Sequence, residues 1–78
     1  NDYILGDAGN DRLWGGAGHD SLFGGTGSDV IRGDTGADHL EGGDQNDNLD
    51  GGSGDDVLYG GAGSDTCAVG PSDAAGTC

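Results

Sequence analysis

The chain repeats itself every nine residues, and that period limits its possible folds more than any other feature. Aligned from Gly6, the full units are GDAGNDRLW (6–14), GGAGHDSLF (15–23), GGTGSDVIR (24–32), GDTGADHLE (33–41), GGDQNDNLD (42–50), GGSGDDVLY (51–59) and GGAGSDTCA (60–68). A partial unit, NDYIL (1–5), precedes them, and the tail VGPSDAAGTC (69–78) follows. Position 1 is Gly in every full unit. Position 2 is Gly except at Asp7 and Asp34, and position 4 is Gly except at Gln45. Position 6 is always Asp: Asp2, Asp11, Asp20, Asp29, Asp38, Asp47, Asp56 and Asp65. Position 8 is Ile4, Leu13, Leu22, Ile31, Leu40, Leu49, Leu58 and Cys67.

Each column suits one environment. Glycines at three of four successive positions allow backbone angles closed to other residues and leave no Cβ between converging carbonyls. Positions 1–6 therefore read as a turn. Positions 7–9 read as a short strand whose middle residue points to one side. Two turns and two strands make a coil of eighteen residues, and stacked coils bring the position-8 residues into one central column. Position 6 places a carboxylate at the end of each glycine-rich turn. Calcium is a hard cation that takes six to eight oxygens from carboxylates and backbone carbonyls, and such a turn offers that set.

Composition says why the chain needs support beyond its own core. Only 31% of the 78 residues are hydrophobic, and the formal net charge is −13 with two Lys plus Arg. A chain of this kind buries too little to offset the entropy of ordering. Small scaffolds in that position rely on a metal, a disulfide or a partner. The charge disfavours nucleic acid and anionic membranes as partners, and no apolar run has the length of a membrane span. No signal peptide is visible and the first residue is Asn1, which reads as a piece of a longer protein or a processed one.

The repeat resembles the RTX, or haemolysin-type, calcium-binding nonapeptide G-G-x-G-x-D-x-U-x, over residues 1–68. The resemblance implies an all-β chain: a right-handed parallel β-roll, or β-solenoid, of about four 18-residue coils with calcium-binding Gly/Asp turns on both edges. Ions would sit between loops two units apart. One edge would carry Asp11, Asp29, Asp47 and Asp65, and the other Asp2, Asp20, Asp38 and Asp56. Three gaps per edge set a ceiling of about six ions. The gap at Asp2 lacks the glycine half of its turn. Beside the eight aspartates, the implied ligands are backbone carbonyls at positions 1, 3 and 5. In chain order these are Gly6, Ala8 and Asn10; Gly15, Ala17 and His19; Gly24, Thr26 and Ser28; Gly33, Thr35 and Ala37; Gly42, Asp44 and Asn46; Gly51, Ser53 and Asp55; Gly60, Ala62 and Ser64.

Departures from the pattern carry further expectations. The unit 42–50 has Gln45 where glycine is the rule, which reads either as a tolerated variant loop or as a weaker, differently shaped site. Asp7 and Asp34 read as surface charge or as an extra metal or turn contact. Cys67 takes an inward position and Cys78 lies beyond Gly70 and Pro71, so a disulfide would fold the capping tail, residues 69–78, over the end of the stack. The other reading is a buried small side chain and a separate thiol. His19 and His39 occupy variable positions and read as surface residues, and no zinc-binding spacing is present. The outward apolar residues are Tyr3, Leu5, Trp14, Phe23, Val30, Val57 and Tyr59. Four of these lie near the N-terminus, which points to an upstream domain or to self-association.

The function these features imply is a calcium-binding structural module that folds on binding calcium. By the resemblance it would be part of a secreted, extracellular or cell-surface bacterial protein. The alternative is an extracellular adhesion or glycan-contacting module of the same fold. Position 7 (Arg12, Ser21, Val30, His39, Asn48, Val57 and Thr66) shows no repeating chemistry that would serve it. An enzyme is not expected: Ser21, Ser28, Ser53, Ser64 and Ser72 are scattered, and the carboxylates are better used as ligands. Any catalysis would belong to another domain of the parent protein.

Overall fold

Nine short strands follow one another in the computed structural model, which describes residues 3–68, Gly70 and the backbone of residues 74–75. The first eight are the position 7–9 triplets: β1 Tyr3–Leu5, β2 Arg12–Trp14, β3 Ser21–Phe23, β4 Val30–Arg32, β5 His39–Glu41, β6 Asn48–Asp50, β7 Val57–Tyr59 and β8 Thr66–Ala68. β9, Ala74–Ala75, lies in the tail. Odd strands form one parallel sheet in the order β1-β3-β5-β7-β9, and even strands form a second, β2-β4-β6-β8. Register is set by the repeat, because Leu22 pairs with Leu40 and Ile31 with Leu49, eighteen residues on in each case. The result is a parallel β-solenoid of about four coils, as the period predicts. β9 continues the odd sheet, with Ala74 opposite Val57 and Ala75 opposite Leu58.

Position 8 fills the space between the sheets. Leu22, Ile31, Leu40, Leu49 and Leu58 are fully buried, Leu13 is nearly so, and Ile4 and Cys67 pack partly buried against them at the two ends. One residue in nine makes a core one side chain wide. The molecule is accordingly a slab of 27 × 22 × 12 Å, its thin dimension close to the ~10 Å spacing of two packed sheets. Among the described residues, no helix is long and apolar enough to cross a membrane.

The turns hold the glycine columns for two different reasons. Positions 2 and 4 take left-handed backbone angles, as at Gly25 (φ 87°) and Gly27 (φ 100°). Asp7 (φ 66°), Asp34 (φ 75°) and Gln45 (φ 71°) adopt the same region. The variant loop therefore keeps the common path, with Gln45 itself taking the strained conformation. Position 1 has no such angle; its glycine is required by what lies beside it, as the edges show.

Candidate metal centre

The position-6 aspartates stack along the edges, one per coil. Asp20, Asp29, Asp38, Asp47 and Asp56 are 1–3% exposed, and Asp11 and Asp65 are partly buried. One carboxylate oxygen of each upper aspartate has a defined partner one coil below. The Asp11 amide donates to Asp29 Oδ1 at 2.8 Å, and the Asp29 amide to Asp47 Oδ1 at 2.8 Å. The Asp47 amide donates to Asp65 Oδ1 at 2.8 Å. On the other edge the Asp20 amide donates to Asp38 Oδ1 at 2.9 Å and the Asp38 amide to Asp56 Oδ1 at 2.8 Å. The second oxygen, Oδ2, is buried without a hydrogen-bond partner at Asp11, Asp29, Asp38, Asp47 and Asp65. A buried carboxylate oxygen with no partner is costly, so each of these positions calls for a positive ligand.

At Asp11, Asp29, Asp38 and Asp47 that oxygen faces a cradle. A Cβ built on Gly24 would lie 2.5 Å from Asp29 Oδ2 and 2.6 Å from the carbonyl oxygen of Gly42 in the next coil. The same convergence recurs at Gly6 (Asp11 and Gly24), Gly15 (Asp20 and Gly33), Gly33 (Asp38 and Gly51) and Gly42 (Asp47 and Gly60). Position 1 is therefore glycine because a carboxylate and a carbonyl from successive coils close on the space a side chain would fill. At Gly51 and Gly60 the nearest atoms are those of Asp56 and Asp65 alone.

Burial pushes the carboxyls of Asp38 and Asp47 up to about 6, and raises that of Asp29. The amide hydrogen bond from the coil below pulls each back, while neighbouring carboxylates on the same edge push upward. A cation between them would reverse both upward pressures.

The donor set suits a hard cation that accepts backbone oxygen. Among the described residues no three His, Cys, Asp or Glu side chains converge as a metal cage, so carbonyls have to complete any site. Several carbonyls are already taken by hydrogen bonds between coils. They belong to position 2 (Asp7 O to the Thr26 amide, Gly25 O to the Asp44 amide), position 6 (Asp29 O to the Asn48 amide) and position 9 (Phe23 O to the Gly6 amide). None is in the candidate set of positions 1, 3 and 5. Asn10 and Asn46 use their side chains to brace the coil above, accepting from the amides of Ser28 at 2.9 Å and Ser64 at 2.8 Å. Asp2 and Cys78 lie outside the described residues, and with them the first gap and the proposed disulfide to Cys67.

The outward faces contain an order that reading each column by itself misses. Rings alternate between positions 7 and 9 across the odd sheet: Tyr3–Phe23 at 5.1 Å, Phe23–His39 at 5.9 Å and His39–Tyr59 at 5.5 Å between centroids. His39 also meets Glu41 at 2.8 Å. The signal was present in alternate rows, had positions 7 and 9 been read together. The ring line thus runs along the odd sheet as far as Tyr59, while three of the four exposed large apolar side chains, Tyr3, Leu5 and Trp14, lie toward the N-terminal end.

Compared with known families, the chain matches the model of the RTX calcium-binding nonapeptide repeat in four copies, over residues 1–31 and 32–67. No curated protein and no solved structure matches it.

Proposed function

The chain belongs to the RTX calcium-binding nonapeptide repeat family, and from that premise we propose that it is a structural module which folds on binding calcium between its loops. The observation that carries the proposal is the row of buried, unpartnered Oδ2 atoms facing carbonyls of the next coil. The ligands are the position-6 aspartates and the carbonyls of positions 1, 3 and 5. Calcium bound there would supply the positive charge these oxygens lack. The chain's own residues pre-position each carboxylate through its Oδ1 hydrogen bond and keep the cradle open through glycine at position 1.

The number of complete cradles favours five ions: three on the edge of Asp11, Asp29, Asp47 and Asp65, and two on the edge of Asp20, Asp38 and Asp56. Five divalent ions would offset ten of the thirteen net negative charges. A sixth would need the gap between Asp2 and Asp20. Without cations, stacked carboxylates and a core one residue wide leave the fold unsupported, and metal binding becomes folding free energy. That dependence would couple folding to export, in a secreted or cell-surface bacterial protein that meets abundant calcium outside the cell. Capping by residues 69–78 is supported by the return of β9 onto β7, and a Cys67–Cys78 disulfide would fasten that tail. The module itself is structural, and catalysis would belong to other parts of its parent protein.

A second reading, adhesion or docking through the odd sheet, is favoured by the line of Tyr3, Phe23, His39 and Tyr59 rings. That face would receive a neighbouring domain or a second copy. Native mass spectrometry in calcium tests the leading reading. Five bound ions are expected, six would add the Asp2 gap, and a chain that takes up none would overturn it.

A further inference from the structure

The even sheet carries a small pocket where its outer face turns into the loops. Its volume is about 210 Å³, and it is lined by Trp14, Arg32, Asp34, Asp50 and Gly52. Trp14, Arg32 and Asp50 stand in register on β2, β4 and β6, all at position 9. Asp34 and Gly52 follow two residues after Arg32 and Asp50, at position 2 of the succeeding turns. Each of the four side chains occupies a place that the repeat leaves variable or normally gives to glycine. Neither calcium binding nor the core explains why these four are brought together.

Their chemistry is complementary. Trp14 is 56% exposed and offers an aromatic face. The Arg32 guanidinium, one of two in the chain, makes no ion pair among the described residues. Asp50 Oδ1 accepts from the Gly52 amide at 3.0 Å, which holds the strand end against the turn. Asp34 lines this pocket although its φ of 75° would suit glycine better. Strain of that kind persists where the surroundings or a function require it.

The charges decide what fits. Two aspartates and one arginine line the pocket in a strongly acidic chain, so an anionic ligand is disfavoured. Arg32 in the middle of the column opposes a cation. A neutral ring bearing hydroxyls satisfies every group: its C–H face packs on the indole, and its hydroxyls accept from Arg32 and donate to Asp34 and Asp50. The volume suits one ring of that size and is smaller than the pockets that enclose drug-sized ligands. We propose that the Trp14–Arg32–Asp34–Asp50 pocket is a subsite for one pyranose unit of a neutral carbohydrate. It requires the folded roll and so rests on the calcium reading.

Trp14 is the single tryptophan, so its emission reports on the pocket directly. The calcium-loaded full chain would be titrated with maltotetraose, cellotetraose and mannotetraose, with glucuronic acid and choline as charged controls. A saturable change with at least one neutral tetraose is expected. Calorimetry on Trp14→Ala and Arg32→Met should then show affinity about tenfold weaker in each. Circular dichroism of the same samples identifies variants that keep the fold, and either variant suffices. No response to any neutral sugar by a folded chain would overturn the subsite alone. So would stronger binding of glucuronic acid or choline, or unchanged affinity in a folded variant. A chain that calcium does not fold would overturn both readings.

Discussion

The interior of the roll and its edges are built from the same nonapeptide, yet they stand in opposite states. Inside, Leu22, Ile31, Leu40, Leu49 and Leu58 touch one another and need nothing else. At the edges, aspartates as deeply buried hold one oxygen in a hydrogen bond and present the other to a neighbouring carbonyl. The interior is complete but thin; the edges are incomplete and bear most of the charge. On the proposed reading, stability is divided between a part the chain supplies and a part that calcium from solution would supply. Stacked repeats depend on their neighbours, which should make the gain of both parts cooperative.

The sharpest way to break this comparison is to fill a cradle without touching a charge. Gly24→Ala adds one methyl at an ordinary backbone angle, in the space between Asp29 Oδ2 and the Gly42 carbonyl. It should raise the calcium midpoint of folding by about 100-fold or more, the scale on which even supporting groups around a metal act. Asp38→Ala should do as much, since it removes a proposed ligand and an anchor for the Asp20 amide. A calcium titration followed by circular dichroism checks both. An unchanged midpoint in Gly24→Ala would mean that the cradle is not the metal site.

An interior substitution should behave differently. Leu40→Ala leaves a cavity in the one-residue-wide column and should cost about 2–5 kcal/mol in calcium-saturated denaturant unfolding. The number of ions bound by the folded protein should stay the same. A reduced ion count would show that interior and edges are not separable.

Acid should act on the two states in opposite senses. Asp38 and Asp47 titrate near 6 in the metal-free fold, above their ordinary value of 3.8. Protonation therefore favours the metal-free fold: its stabilisation is complete below about pH 4 and is lost as pH rises through about 6. Calcium needs the ionised carboxylates, so its affinity should fall as pH drops through the same window. Circular dichroism from pH 4 to 7, with chelator and with calcium, should give curves of opposite slope. Parallel curves would contradict the assignment of these aspartates.

The smallest effect should come from the variant loop. Gln45→Gly relieves a non-glycine residue at φ 71° and should stabilise the calcium form by about 0.5–1 kcal/mol. A loss of stability would mean that the Gln45 side chain contributes something the backbone angle does not reveal.

Much of this was legible in the sequence because a strict period maps each position onto one environment. Leu or Ile every nine residues meant an inward column, and Asp closing each glycine run meant stacked carboxylates. Other features were hidden because a period shows what stacks eighteen residues apart and not what meets on the diagonal. The Tyr3–Phe23–His39–Tyr59 line crosses two columns. The pocket joins position 9 to position 2 of the following turn. The glycines also looked alike in sequence, although Gly25 and Gly27 serve backbone angle and Gly24 serves close approach. Gln45 marked an irregular loop in the sequence, yet the turn absorbs it by taking φ 71° there.

The most direct test of the division between interior and edges is far-UV circular dichroism of chelator-treated, nonreduced protein during calcium addition, with magnesium in parallel. The account predicts little β signal at neutral pH without calcium. A cooperative rise should follow that calcium produces and magnesium does not, because magnesium sheds its water reluctantly and demands octahedral geometry. A full β signal before any calcium is added would contradict it, and would mean that the interior column, the tail or self-association holds the roll without its edges.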